Sequence, residues 1–462
     1  MGVVNLTPDS FSDGGKWTHL DHVFNHIDQL IQEGADWIDL GAESSRPGAN
    51  PVISWLIRNE QLDGGFILTA SHNPPEYNGI KFNPANGAPA PVQITQYIQR
   101  QANHYLNTSV PSIQEPGGTT IRHLTDPFCK KLIQKVYTTL PNLTKDHWKD
   151  CRVVIDAKHG TSGPVWKTIQ SKLKWYPIEC LHFDGHSSFH GVNPNPLDES
   201  GLTDLKNTIA DHQASIGISN DPDADRFVVV DEKGQVLSPE MVASIITYYL
   251  CSNQLPLHGI TTTLASSHLL KKVAARFNID YVETAVGFKY FTPHFESALS
   301  NQHNIIGVES SGGISLASHI FEKCGFLPGL LLLGICQLTQ KSVSEWVDII
   351  NKEFGQLIFS ESSLSLSSSR HHTLKKWIQS PPPPSFLDLF STPPIHINQE
   401  DGLKCVFGDD SWCLLRVSGT EPVLRLYCES MSKDTNHQMI SALEKWVSCT
   451  FIEDENEELK KT

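Results

Sequence analysis

The chain has 462 residues, which at ~150 residues per domain implies about three domains and up to four small ones. Lys and Arg number 36 against 51 Asp and Glu, and the formal charge of −15 argues against a general nucleic-acid or anionic-membrane binder, since both need an excess of basic residues. Hydrophobic residues at 39% and charged residues at 19% suit a globular chain rather than a disordered one.

The N-terminus, Met1-Gly2-Val3-Val4-Asn5, has no basic stretch and does not read as a secretory signal. Short β-rich runs are expected at Gly2–Leu6, Phe66–Ala70, Val153–Ala157, Ser215–Ser219, Phe227–Asp231, Thr261–Ala265 and Asn304–Val308. Amphipathic stretches lie between them, at Leu20–Glu33, Leu202–His212, Glu240–Leu250 and Leu269–Phe277. This alternation predicts an α/β fold built on mostly parallel sheet. The apolar run Leu327–Leu338 is too short to span a bilayer and reads as a buried helix. Ser360–Ser391, with its serine run and Pro381–Pro384, reads as a surface connection to a last α+β domain, and the end EDENEELKKT as a solvated tail. The ten cysteines form no CxxC pair, which favours reduced thiols in a cytoplasmic setting over a zinc site or a redox dithiol.

Four loops carry chemistry. In Thr69-Ala70-Ser71-His72-Asn73-Pro74-Pro75 a strand ends on a polar turn that presents a serine. Such a serine can carry a phosphoryl group, with His72 and Lys81 to polarise the ester or move protons. It is equally an ordinary strand-to-loop turn. Asn220-Asp221-Pro222-Asp223-Ala224-Asp225-Arg226 sets three carboxylates at alternate positions before a strand, where they can converge on one hard cation such as Mg²⁺. Arg226 beside them can hold a phosphoryl group bidentately. Gly307-Val308-Glu309-Ser310-Ser311-Gly312-Gly313 offers a carboxylate and hydroxyls suited to sugar hydroxyls, and Lys289, in the loop Thr284–Lys289, adds a cation; Ser/Gly loops of this kind are also common without a ligand. Arg416-Val417-Ser418-Gly419-Thr420-Glu421-Pro422, with Arg425 close by, makes an anion cradle or a turn with surface arginines.

Together, in this order, the four loops resemble the α-D-phosphohexomutase superfamily from Pro51 to about Val447, and the contexts PPEYNGIKF and VGFKYF resemble its phosphoglucomutase/phosphomannomutase members. The resemblance implies related α/β/α domains at 51–146 (truncated), 147–254 and 255–358, and a C-terminal α+β domain at 388–462. It implies that Ser71 carries the phosphate, that Asp221, Asp223 and Asp225 hold Mg²⁺ with it, and that Arg226, Lys81 and His72 assist transfer. Lys289, Glu309 and Ser311 would grip the sugar, while Arg416, Ser418, Gly419, Thr420 and Arg425 would hold the non-reacting phosphate. The implied reaction interconverts hexose 1-phosphate and 6-phosphate, of glucose or mannose, through a bisphosphate that also serves as activator. The partner is then a small hexose phosphate, with no nucleic acid or membrane, and the chain a monomer or weak homo-oligomer. Three positions depart from the pattern: Pro222 for the commoner glycine, Val417 for Pro or Ala, and Cys324 for Asp.

Residues 1–50 differ. MGVVNLTPDSFSDGG and EGADWIDLGAESSRPGA resemble the start of dihydropteroate synthase, a TIM-barrel enzyme, with Asn5, Ser45 and Arg46 at matching positions. A strand, helix Leu20–Glu33 and a second strand make one βαβ unit, whereas a barrel needs eight strands. The motif switch at Pro51 suggests an in-frame fusion in which the first mutase strand and its arginine-bearing turn are missing. Two other readings stand beside the mutase: a non-catalytic sugar-phosphate-binding remnant, and a dihydropteroate synthase, which the missing barrel opposes.

Overall fold

The computed structural model describes residues 2–5, 38–41, 49–75, 77, 79–106, 108, 123–175, 179–186, 188–419 and 422–452. In chain order the strands are β1 (Gly2–Asn5), β2 (Ile38–Gly41), β3 (Gly64–Leu68), β4 (Ile80–Pro84), β5 (Val153–Asp156), β6 (Glu179–Leu181), β7 (Ile216–Asn220), β8 (Phe227–Asp231), β9 (Val236–Leu237), β10 (Gly259–Thr263), β11 (Asp280–Thr284), β12 (Ile305–Glu309), β13 (Gly313–Leu316), β14 (Ile358–Ser365), β15 (His396–Asn398), β16 (Leu403–Val406), β17 (Trp412–Val417) and β18 (Val423–Ser430). The chain forms two compact units, one of Met1–His258, Phe288–Gly307 and Ser311–Trp346, the other of Gly259–Gly287, Val308–Ser310 and Val347–Thr462. The boundary runs through β12.

In the first unit β1 and β2 pair in parallel, Gly2 opposite Ile38. The expected helix Leu20–Glu33, and Ser45 and Arg46, lie outside the described residues. Helix α1 (Asn50–Glu60) starts with Pro51 in its first turn, where the missing N–H costs nothing, and ends on Gln61 in the left-handed region. It buries Val52, Trp55 and Ile57. The antiparallel hairpin β3–β4 presses Gly65 and Ile67 toward this helix. Its other face leaves Phe66 59% and Ile80 57% exposed.

The middle sheet has the order β6-β5-β7-β8-β9. β5 is parallel to β6 and β7, but β7–β8 and β8–β9 are antiparallel, so the sheet is mixed rather than mostly parallel. The cause is local: only Asp221–Arg226 join β7 to β8, and a parallel return needs a crossover of a dozen or more residues. Val154, Leu202, Leu205, Ile209, Ala214, Val228 and Val230 fill one side of this sheet. The expected buried helix is Leu327–Thr339, with every residue from Leu327 to Cys336 buried.

In the second unit β10 and β11 are parallel, and a five-stranded antiparallel sheet has the order β14-β18-β17-β16-β15. The segment Ser360–Ser391 is therefore not a plain connection. β14 pairs with β18 along its whole length, and a helix, Ser368–Ile378, follows it. The sheet covers a core that includes Leu366, Leu374, Phe386, Leu403, Leu415, Leu424 and Leu443. Cys405 faces Cys413 across one strand pair and Cys413 faces Cys428 across the next, all three buried. Among the described residues no helix is long and apolar enough to cross a membrane. The charged tail 453–462 lies outside them.

Candidate active site

The acidic loop is set by the ends of two buried strands. Asn220 at the end of β7 donates from Nδ2 to the carbonyls of Arg226 (3.0 Å) and Gly325 (2.9 Å), and its Oδ1 accepts from Trp166 Nε1 at 2.7 Å. Arg226 N–H donates to Asp221 Oδ1 at 3.0 Å, folding the loop on itself. Asp221, Asp223 and Asp225 are each fully buried, and one carboxylate oxygen from each lies within 4.8 Å of the others.

Ser71 stands against this triad. It adopts φ 55°, its N–H donates to Thr69 Oγ1 at 2.8 Å, and Thr69 Oγ1 in turn donates to Asp223 Oδ2 at 2.8 Å. This relay brings Ser71 Oγ to 3.4 Å from Asp221 Oδ2 and 3.4 Å from His72 Nδ1. Arg226 closes the other side, an Nη donating to His72 Nδ1 at 2.9 Å. Lys81, carried on β4, donates to Asp223 Oδ2 at 2.8 Å and Asp225 Oδ2 at 3.0 Å. Ser71, His72, Lys81, Arg226 and the three aspartates thus come together within one unit.

The charges follow from burial and neighbours. Burial, then the adjacent Asp223 and Asp225, push Asp221 well above the usual carboxylate range. Burial would raise Asp225 as well, but Lys323, Lys81 and Arg226 hold it far below. Burial opposes the charge on Lys81, yet Asp223 and Asp225 raise its pKa and keep it an ammonium. Burial and the Arg226 guanidinium push His72 down to about 3, so its imidazole is neutral near pH 7.

Three dry carboxylates are costly unless cations face them. Asp223 Oδ1 and Asp225 Oδ1 are buried without a hydrogen-bond partner. An all-oxygen donor set with open lone pairs fits a hard divalent cation.

Three residues of this cluster were not singled out in the sequence. Asn50 donates from Nδ2 to Asp225 Oδ2 at 2.8 Å, Thr69 forms the relay to the serine, and Lys323 Nζ lies 3.4 Å from Asp225 Oδ2. Thr69 stood beside the serine in the motif. Lys323 adjoins Cys324, a noted departure; that thiol is buried, which pushes its pKa up to about 12.

Of the sugar-loop residues, Ser311 is half-buried in the turn whose next residue, Gly312, accepts Phe227 N–H at 3.1 Å, so the turn lies beside Arg226. Lys289 follows Phe288, whose ring lies 5.9 Å from Lys323 Nζ. Glu309 is buried at the end of β12 in the second unit.

The cradle also belongs to the second unit. Arg416 and Arg425 are direct cross-strand partners on β17 and β18. Arg416 Nε donates to Asp401 Oδ2 at 2.9 Å, and an Nη of Arg425 to Glu361 Oε1 at 3.1 Å. Ser418 N–H donates to Val423 O at 2.8 Å, its carbonyl lies 2.8 Å from His371 Nε2, and among the described residues nothing crowds a Cβ placed on Gly419. Thr420 lies outside the described residues. Each guanidinium thus already faces one carboxylate, Asp401 for Arg416 and Glu361 for Arg425.

Comparison with known proteins gives the chain's relatives. Family models described as phosphoglucomutase/phosphomannomutase match in all four parts: alpha/beta/alpha domain I over residues 24–109, domain II over 126–234, domain III over 238–353 and the C-terminal domain over 388–445. The domain I match begins upstream of the motif switch at Pro51. A phosphoglucomutase/phosphomannomutase of Thermococcus kodakarensis is 26% identical over 412 residues, covering 88% of this chain and 82% of the relative. A phosphoglucosamine mutase of Bacillus cereus is 26% identical over 421 residues, with 88% and 82% covered. The open form of pp63/parafusin, a phosphoglucomutase from Paramecium, superposes with a TM-score of 0.63 at 26% identity, covering 87% of this chain and 80% of that one.

Proposed function

Because the chain belongs to the phosphoglucomutase/phosphomannomutase family, the α-D-phosphohexomutases, we propose that it interconverts the 1- and 6-phosphates of glucose or mannose through a phosphoserine at Ser71 and a hexose 1,6-bisphosphate. The observation that supports this most directly is Ser71 Oγ at 3.4 Å from Asp221 Oδ2, beside a triad with unpartnered carboxylate oxygens.

In this reading Asp221, Asp223 and Asp225, with the phosphoserine, hold Mg²⁺. When bound, the ion offsets the charge of the transferring phosphoryl oxygens. Arg226 orients the phosphoryl group through paired N–H donors. Lys81, held protonated, supplies positive charge and cannot act as a base. His72, held neutral at 3.4 Å from Ser71 Oγ, orients the serine, and the proton of the attacking sugar hydroxyl passes to Ser71 Oγ as its bond to phosphorus breaks. The bisphosphate then turns over and returns its other phosphate to Ser71. Arg416, Ser418, Gly419, Thr420 and Arg425 bind the phosphate that does not react, while Glu309, Ser311 and Lys289 contact the sugar. Positioning and electrostatics account for most of the rate in such transfers.

The test is intact-mass analysis after incubation with glucose 1,6-bisphosphate. One added phosphate is expected, absent in Ser71→Ala. A coupled assay with glucose 1-phosphate, mannose 1-phosphate and glucosamine 1-phosphate, each with trace bisphosphate, identifies the preferred sugar. An unphosphorylated wild-type chain that still binds hexose phosphate would overturn the mutase in favour of a sugar-phosphate-binding protein, the reading favoured by the bare face of β3–β4.

A further inference from the structure

We propose that His159, Asp184 and His190 form a second cation site, separate from the aspartate triad and suited to Zn²⁺. His159 lies in the turn after β5, and Asp184 and His190 in the loop after β6. His159 Nδ1 is 3.1 Å from Asp184 Oδ1 and donates to the Asp184 carbonyl at 2.9 Å, and His190 Nε2 is 3.6 Å from Asp184 Oδ2. One donor atom from each of the three residues falls within 4.8 Å of the others. Zn–N and Zn–O bonds of about 2.0–2.2 Å at tetrahedral angles set donor atoms roughly 3.3–3.6 Å apart. The His190–Asp184 pair meets that spacing, and the His159–Asp184 pair comes near it, with His159 ligating once its Nδ1 proton moves to Nε2.

The donor chemistry separates this site from the first. Imidazole nitrogens with one carboxylate favour a borderline-soft ion, whereas the oxygen-only triad favours a hard one. Surrounding rings strengthen the case. His159 lies 4.7 Å from the His190 ring and 4.8 Å from the His182 ring, and His186 stacks on His190 at 3.7 Å. His182 Nδ1 pairs with the buried Asp156 at 2.8 Å, which anchors the loop beside the site. His159, His182 and His190 take φ of 55°, 54° and 47°, a left-handed backbone rarely adopted without glycine.

The position gives the site a consequence. Two residues after His159, Thr161 donates from both N and Oγ1 to Pro222 O at 2.8 Å each. Pro222 lies between Asp221 and Asp223. An ion bound at His159 therefore braces the turn that holds the acidic loop.

The experiment uses the full, untagged chain with its exposed thiols, Cys180 and Cys449, alkylated. After chelator treatment, Zn²⁺ is titrated calorimetrically in excess Mg²⁺. One equivalent is expected to bind. Asp184→Ala and His190→Ala should each weaken it tenfold or more with unchanged circular dichroism, since both side chains are at least half exposed. Asp221→Asn should bind zinc as wild type does. Co²⁺ in place of Zn²⁺ should give tetrahedral d–d bands without thiolate charge transfer. No uptake, equal uptake in Asp184→Ala and His190→Ala, or uptake lost in Asp221→Asn would each overturn the site.

Discussion

Lys81 bridges two buried carboxylates, and its loss leaves both uncompensated. Removing one partner of such a pair costs about 3–5 kcal/mol in a fully buried setting, and less here because the Lys81 side chain is 31% exposed. Lys81→Met should lower the thermal midpoint in Mg²⁺-free buffer, lower turnover by about a hundredfold, and recover more of its stability on Mg²⁺ addition than wild type gains. Melting curves and the coupled assay read both effects. At the cradle the cost to stability is smaller. Arg425 pairs with Glu361 with both side chains 39% exposed, and such a pair contributes about 0–1 kcal/mol. Arg425→Gln should destabilise the unliganded chain by no more than about 1 kcal/mol, and raise KM for hexose phosphate about tenfold, since a charge-assisted contact contributes roughly 1.5–3 kcal/mol. An unchanged KM would remove Arg425 from the phosphate site.

At the scale of the element, the acidic loop is gripped by backbone packed too closely for side chains. A Cβ on Gly160 would lie 2.4 Å from Pro222 Cα, and one on Gly325 would lie 2.6 Å from Arg226 O and 2.7 Å from Ala224 O. Neither backbone neighbour can yield without moving an aspartate. Gly160→Ala and Gly325→Ala should each destabilise by about 1–3 kcal/mol and weaken Mg²⁺ dependence of activity; denaturant melts and metal titration test this. Legibility divides at the same scale. The aspartates and Arg226 were readable because their chemistry is written within a few adjacent residues, as was Ser71 at its strand end. Asn50 was not, because it reaches Asp225 from 175 positions away, and no local pattern announces such an approach. β14 was hidden for another reason. Its sequence Ile358–Ser365 alternates half-buried with exposed positions and puts serines on both faces, so a strand reads as a linker. The antiparallel turn of the middle sheet was implicit in the short span from Asn220 to Phe227, which the alternation of strands and helices obscured.

Across the whole molecule, buried histidines set the response to acid. Burial and neighbouring cations push His72 and His319 down to about 3 and His268 to about 2, from 6.5. Between about pH 6.5 and 3 the unfolded chain takes up protons that these folded residues refuse. Their contribution to stability is complete above pH 6.5 and is lost as pH falls toward 3, at up to about 1.4 kcal/mol per pH unit for each histidine. His319→Phe, beside the Phe128 ring, should flatten that slope in denaturant melts between pH 6 and 4; an unaltered slope would show that His319 does not contribute. The row Cys405, Cys413 and Cys428 bears on handling of the chain. Three thiols on adjoining strands can form one bridge at most among themselves and must leave an odd sulfur. Air oxidation during renaturation would then yield mispaired dimers, so preparations intended for assay belong in reductant from lysis onward.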